Sequence, residues 1–266
     1  CVTRRQRQMC IRDRFKTQYP LLTITRVILF FFGFSSFYVS LTVLPLGTAT
    51  ALFFVTPFLI TIFAHFFLKE EIGLRRWSAV VVGFIGVYVT LNPDFSNFNY
   101  LSLLPILCAL CYSLSMIIIK KTSDKDSVYT QTFTFYIGAI ILSIIFYFII
   151  GDGQYNTSDH PASQFIFREW FVDFNTNILL MTATGVTATL AFLFLFKAYS
   201  IASPSVVSPF EYSILFWSPL VGWLYFDEIP SLNTVIGILI IVSSGIYIFM
   251  REKAQNQSIA TEKPLR

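Results

Sequence analysis

The sequence predicts an all-α fold, a polytopic membrane protein whose helices pack as a bundle of inverted repeats. Three observations carry the prediction. Of the 266 residues, 55% are hydrophobic and 13% charged, with 30 Phe and a mean hydropathy of +0.66. A soluble domain is about 25% charged, so this chain could not coat a water-facing surface. The apolar residues fall into eight runs, most near the roughly 20 residues that carry a helix across about 30 Å of hydrocarbon. Lipid offers backbone N–H and C=O groups no partner, so each run is expected to be helical. The pattern of three early runs also returns near the C-terminus.

Residues 1–14, CVTRRQRQMCIRDR, hold five Arg, show no periodicity and read as a non-native leader. Residues 15–25, with Lys16 and Pro20, read as a loop entering a helix. The first span is expected over 26–44, ending at Pro45, and the second over 48–68, containing Pro57 and His65. A charged loop from Lys69 to Arg76 leads to a short third span, 77–91. Polar residues 92–99 precede the fourth, 101–119. The loop KKTSDKD, 120–126, precedes the fifth, 128–150. Residues 151–177 form the longest polar stretch, in which FIFREWFVDF, 165–174, suits a short helix lying in the membrane interface. Spans over 178–201, 205–226 and 234–250 follow, and a polar tail ends the chain.

Lys and Arg counts orient these spans. In alternate loops Lys16, Arg26, Lys69, Arg75, Arg76, Lys120, Lys121, Lys125, Arg251, Lys253, Lys263 and Arg266 fall on one side, and Arg168 alone on the other. The positive side is cytoplasmic. The expectation is therefore a multi-pass protein of the cell's inner membrane with its C-terminus cytoplasmic and residues 151–177 outside. Nucleic-acid binding is not indicated. Cys108 and Cys111 form a C-x-x-C inside an apolar run with no second pair and no nearby His. A zinc or redox site needs more ligands, so they read as small packing residues, with no metal and no cofactor.

The recurrence is specific. Spans one to three contain LPLGTATALFFVTPFLITIFAHFFLKEEI, and spans six to eight contain IASPSVVSPFEYSILFWSPLVGWLYFDEI. In each, a turn of small residues or Pro leads to an aromatic-rich, Pro-bearing helix that ends at Glu-Ile: Glu71-Ile72, then Glu228-Ile229. A short Gly-bearing helix closes each copy. The loop assignment puts Glu71 inside and Glu228 outside, so the copies are inverted, the usual construction of secondary transporters. Two further spans precede the second copy, giving it five helices over 100–252. The first has three over 15–95, and symmetry implies two more before Phe15.

Leu44 to Ala51, Pro57, Glu71, the stretch Gly83-Phe84-Ile85-Gly86-Val87, then Ser205 to Tyr212, Glu228 and Gly245 together resemble the EamA-like branch of the drug/metabolite transporter superfamily. The resemblance covers about Phe15 to Glu252. It implies ten helices in two inverted repeats of five, both termini cytoplasmic, and a central cavity for a small-molecule substrate within the lipid bilayer. The run Pro209-Phe210-Glu211-Tyr212 is similar to that of members that take up S-adenosylmethionine or related metabolites.

Glu211 is the one ionisable residue of 205–226. A charge at mid-membrane costs about 2.5–3.5 kcal/mol on insertion scales, so it is expected to face a partner or a watery cavity. It could pair with a cationic substrate, take up a proton, or only bond to a neighbouring helix. Tyr212, Phe210, Trp217, Tyr112 and Ser115 are further candidates for lining a substrate cavity. Pro57, Pro209 and Pro219 are candidate helix breakers, since each proline lacks a donor and frees a carbonyl for a ligand or for simple kinking. Lys197 is read as reaching to the interface, and His65 as interfacial. Gly83, Gly86, Gly237 and Gly245 supply flat surfaces for close helix contact, and Glu71 and Glu228 read as solvated or cap residues at span ends, markers of the repeat more than working groups. A carrier for a small organic metabolite is the expectation that fits best. A membrane enzyme acting on lipid needs clustered catalytic groups, and no HExxH, Asp-rich or GxSxG motif is present. A non-transporting membrane protein is the remaining alternative.

Overall fold

The structure, a computed structural model, describes residues 17–69, 73–91, 99–170, 174–202 and 204–254. The leader, Glu71, residues 92–98 and the end of the tail lie outside them. In chain order the helices are α1 (Pro20–Ser40), α2 (Leu46–Phe53), α3 (Thr56–Leu68), α4 (Leu74–Leu91), α5 (Leu104–Thr122, led in by the 3-10 turn Tyr100–Leu103), α6 (Val128–Ile150), α7 (Pro161–Phe167), α8 (Phe174–Ile201), α9 (Pro204–Val207), the 3-10 segment Ser208–Ser213, α10 (Ile214–Phe226) and α11 (Leu232–Ala254). Pro20, Pro57, Pro161 and Pro204 all stand in a first turn, where the missing N–H would have had no helical partner anyway. Among the described residues, five stretches are long and apolar enough to cross a membrane: Pro20–Ser40, Leu46–Leu68, Tyr100–Thr122, Val128–Ile150 and Asn177–Ile201. Trp77–Leu91 and Leu232–Tyr247 are shorter apolar helices. The chain is a multi-pass helical membrane protein.

Three expectations need correction. The first span begins at Pro20, not at residue 26, and ends at Ser40. Arg26 looks like a boundary because a charge facing lipid is costly, but it is only 2% exposed and packed inside protein, so the helix runs past it. The short helix of the polar stretch, α7, starts and ends earlier than expected, at Pro161 and Phe167, and residues 171–173 of the expected one lie outside the described residues; Pro161 opens it, and His160 Nδ1 caps it by accepting from the Ala162 N–H at 3.2 Å. The seventh span is three pieces, not one helix, and α10 runs through Pro219 without a break. A single missing backbone bond kinks an apolar helix more readily than it ends one.

The second span is also interrupted, at Phe54–Val55. The Thr56 hydroxyl donates to the Phe53 carbonyl, and the Ser113 hydroxyl reaches the Thr56 carbonyl at 3.3 Å. Counted back from the Glu-Ile pairs, the interruptions match: Phe54 precedes Glu71 by seventeen residues, and Glu211 precedes Glu228 by seventeen. Lys69 and Asp227, the two non-glycine residues with positive φ among those described, close the two helices that follow.

The chain gathers into two compact units, each built from both halves of the sequence. One takes the chain to Phe31 together with Ile118–Ile201. There α6 lies along α8, and an aromatic cluster joins α1 to both: the Phe30 ring meets Phe135, Phe192 and Phe196 at 4.9, 5.6 and 6.1 Å between centroids. Asp126 ties down the approach to α1, accepting from the Thr17 hydroxyl at 2.5 Å and the Gln18 N–H at 2.8 Å.

The other unit takes Phe32–Ile117 and the chain from Ala202 onward. Its core is Ala51, Leu52, Phe54, Val55, Phe58, Ala79, Val80, Val87, Ala109, Tyr212, Leu215 and Ile241. Here α4 packs along α11 through facing glycines: a Cβ on Gly237 would lie 2.7 Å from the Gly86 carbonyl oxygen. Only glycine lets two backbones approach so closely. Just beyond α10, Glu228 Oε2 accepts from the Leu46 N–H at 2.7 Å and so caps the start of α2.

Candidate functional site

Glu211 sits in the 3-10 segment, close to Pro209 in its first turn. The proline supplies no N–H to the ladder, and here the chain takes the tighter 3-10 winding that bridges α9 to α10. The carboxylate is half-buried. Tyr112 from α5 donates its hydroxyl to Glu211 Oε1 at 3.0 Å, across 99 residues of sequence. Tyr112 is buried, its ring edge-on to Phe53 at 5.4 Å and to Phe34 at 6.3 Å. Packing thus fixes the donor, and the charged acceptor gains a bond about twice as strong as a neutral one.

The next residue, Tyr212, is buried in the core. Its ring lies 5.8 Å from Phe54 and 6.4 Å from Phe58, between the two interrupted helices. The backbone of Gly245 makes room for it, since a Cβ there would overlap the ring. The Tyr212 hydroxyl is buried and has no hydrogen-bond partner. The interruption at Phe54–Val55 and the one at Glu211 therefore touch through side chains.

The other sequence candidates fall differently. Phe210 and Trp217 are 63% and 57% exposed, Trp217 packing edge-on to Phe216 at 5.2 Å. Ser115 is fully buried, and its hydroxyl donates to the Cys111 carbonyl at 2.8 Å within its own helix. Pro57 opens α3 beside the first interruption, and Pro219 lies in α10 against Gly47 of α2. Cys108 and Cys111 are buried free thiols, and among the described residues no group of three or more His, Cys, Asp or Glu side chains is gathered. The arrangement brings Glu211 and Tyr112 together and sets Tyr212 beside them. A half-buried carboxylate that accepts from a phenol is suited to binding a cationic group or a proton. Sequence reasoning passed over Arg26 as a loop residue. The signal was Pro20, six residues ahead, which starts the helix and so places Arg26 inside it.

The sequence profile of the EamA-like transporter family matches residues 9–92 and 100–250. The chain is similar to the S-adenosylmethionine uptake transporter of Rickettsia conorii, with 33% identity over 91% of this chain and 76% of that protein. It is similar to the riboflavin transporter of Vibrio cholerae, with 30% identity over 93% of this chain and 77% of that one. A crystal structure overlays 94% of this chain and 84% of its own with a TM-score of 0.64 at 15% identity, which is likeness of fold.

Proposed function

Because the chain belongs to the EamA-like transporter family, we propose that it is a secondary carrier moving a small organic metabolite across the inner membrane by alternating access. The favoured substrate class is a cation related to S-adenosylmethionine. The observation that carries this is the Glu211 carboxylate, held by Tyr112 where a membrane helix changes its winding. Interrupted helices are where such carriers place ligands, and a carboxylate there complements a sulfonium or ammonium charge. Glu211, Tyr112 and Tyr212 form the heart of the site; Phe210, Trp217 and Ser115 contribute through its walls. The functional body is two inverted repeats, 15–95 and 100–252. The C-terminus is cytoplasmic: with Arg26 withdrawn from the loops, eleven Lys and Arg still face Arg168 alone.

The chain reconstituted in vesicles is expected to take up labelled S-adenosylmethionine, and Glu211→Gln or Glu211→Ala to abolish uptake with normal insertion. Unchanged uptake in these variants removes Glu211 from the mechanism, and saturable riboflavin uptake in place of S-adenosylmethionine overturns the substrate class. No catalytic step is assigned to the chain. Product formed from a labelled lipid by the purified protein would overturn that. A cysteine placed at Gln154 should react with a membrane-impermeant maleimide from outside the cell, and reaction only after lysis would reverse the orientation.

A further inference from the structure

Arg26 is the most deeply buried charge among the described residues, 2% exposed, on the seventh position of α1. That is about 9 Å of helix in from Pro20. Its guanidinium faces two aromatic rings, Phe196 at 5.2 Å and Phe135 at 5.9 Å from Cζ to centroid. Rings take the flat faces of a guanidinium and leave its edges, where the five N–H groups point, for hydrogen bonds. Nη2 donates to the backbone carbonyl of Gln131, while Nε and Nη1 are buried and have no hydrogen-bond partner. Nη2 carries two hydrogens, one beside Nε–H and one beside Nη1–H. Whichever of them meets the Gln131 carbonyl, the other completes a free two-pronged edge with an unpaired neighbour. That edge is the shape that takes a carboxylate through two parallel bonds.

The carboxylate in the neighbourhood does not fill this role. Asp126 attracts the guanidinium electrostatically, but its two oxygens are engaged by Thr17 and Gln18. Gln131 adds a complementary group: its Nε2 reaches the carbonyls of Ile119 and Asp126, each at 3.4 Å, whereas its Oε1 is buried and has no partner. Two unpaired donors on one residue thus sit with an unpaired acceptor on the residue it bonds, inside a shell of Phe. Buried polar groups are almost always paired, and a charged one most of all.

We propose that Arg26 and Gln131 form a second polar site, in which the Arg26 fork binds the carboxylate of a solute's α-amino-acid end and Gln131 Oε1 accepts from its ammonium. This rests on the carrier proposed above and narrows its substrate to metabolites with a free amino-acid group. Riboflavin has no such group and is excluded as cargo.

The test compares binding of S-adenosylmethionine and decarboxylated S-adenosylmethionine to the detergent-purified chain. The wild type is expected to favour the carboxylated compound by at least about tenfold in Kd. Arg26→Gln should bind both alike, at the weaker level. Arg26→Lys, which keeps the charge, should lose most of the discrimination and leave affinity for the decarboxylated compound unchanged. Equal weakening of both compounds in either variant, or no discrimination by the wild type, overturns the site. Thermal shift with L-methionine and L-methioninol separates it from the transport assignment, because it needs no cargo. Stabilisation by methionine alone, lost in both variants, supports the site even if vesicles take up neither adenosyl compound; equal shifts by both overturn it.

Discussion

Replacing Tyr112 with Phe deletes one hydroxyl and leaves the ring against Phe53 and Phe34. What is lost is a 3.0 Å bond to the Glu211 carboxylate. Neutral side-chain bonds between membrane helices average about 0.6 kcal/mol, because the unfolded chain in a membrane or micelle also finds partners. A charged acceptor roughly doubles a hydrogen bond, so this pair should couple by about 1–1.5 kcal/mol. The single variants mix that coupling with other changes: Tyr112→Phe alters the surroundings of the carboxylate, and Glu211→Leu removes the cost of placing a charge in the bundle. A double-mutant cycle over wild type, Tyr112→Phe, Glu211→Leu and the double variant cancels those terms. Unfolding in mixed micelles titrated with SDS, followed by circular dichroism, gives the four stabilities. A coupling below about 0.3 kcal/mol would refute the inference that this bond holds the carboxylate, since a neutral bond of the same geometry would give more.

Gly237→Ala should destabilise by about 1–3 kcal/mol, because its methyl group overlaps Thr90 and crowds the Gly86 carbonyl. Gly185→Ala, in α8 with nothing within 4 Å, should instead stabilise by about 0.5–1 kcal/mol in the same titration; the opposite order would refute the packing of α4 on α11. Glu228→Leu should cost about 1 kcal/mol by uncapping Leu46, and Glu228→Gln less, since its amide oxygen still accepts. In variants without Cys1 and Cys10, maleimide should modify neither Cys108 nor Cys111 in native micelles, at 0% and 9% exposure, and both after SDS; rapid native labelling would contradict their burial.

The bundle was legible in the sequence because hydropathy alone dictates it: a chain with so few charges can meet its surface needs only in lipid. Glu-Ile, proline and glycine recur in order along the sequence, and the two interruptions of the structure fall at matching positions. Glu211 stood out as the single ionisable residue of its span. Tyr112 was among the candidates, but nothing local to it tied it to Glu211; a contact 99 residues away depends on how α5 and the 3-10 segment pack. Arg26 was misplaced for a physical reason. Hydropathy treats a charge as the end of a span, whereas Phe135, Phe196 and the Gln131 carbonyl give this one a protein environment that no window of neighbouring residues contains. Likewise, a proline marks a weak point in the ladder without saying whether the chain starts a helix there, as at Pro57, or passes through, as at Pro219.

The six residues Ser208–Ser213 act as a screw thread between α9 and α10. Wound as 3-10 they advance about 2.0 Å and turn 120° per residue, against about 1.5 Å and 100° in an α-helix. Rewinding them would draw α10 in by about 3 Å and swing it by about a third of a revolution. Each backbone N–H would move only from one carbonyl to the next. Glu211 rides on that thread, so a small change of pitch would carry its carboxylate to a different azimuth and off the Tyr112 hydroxyl.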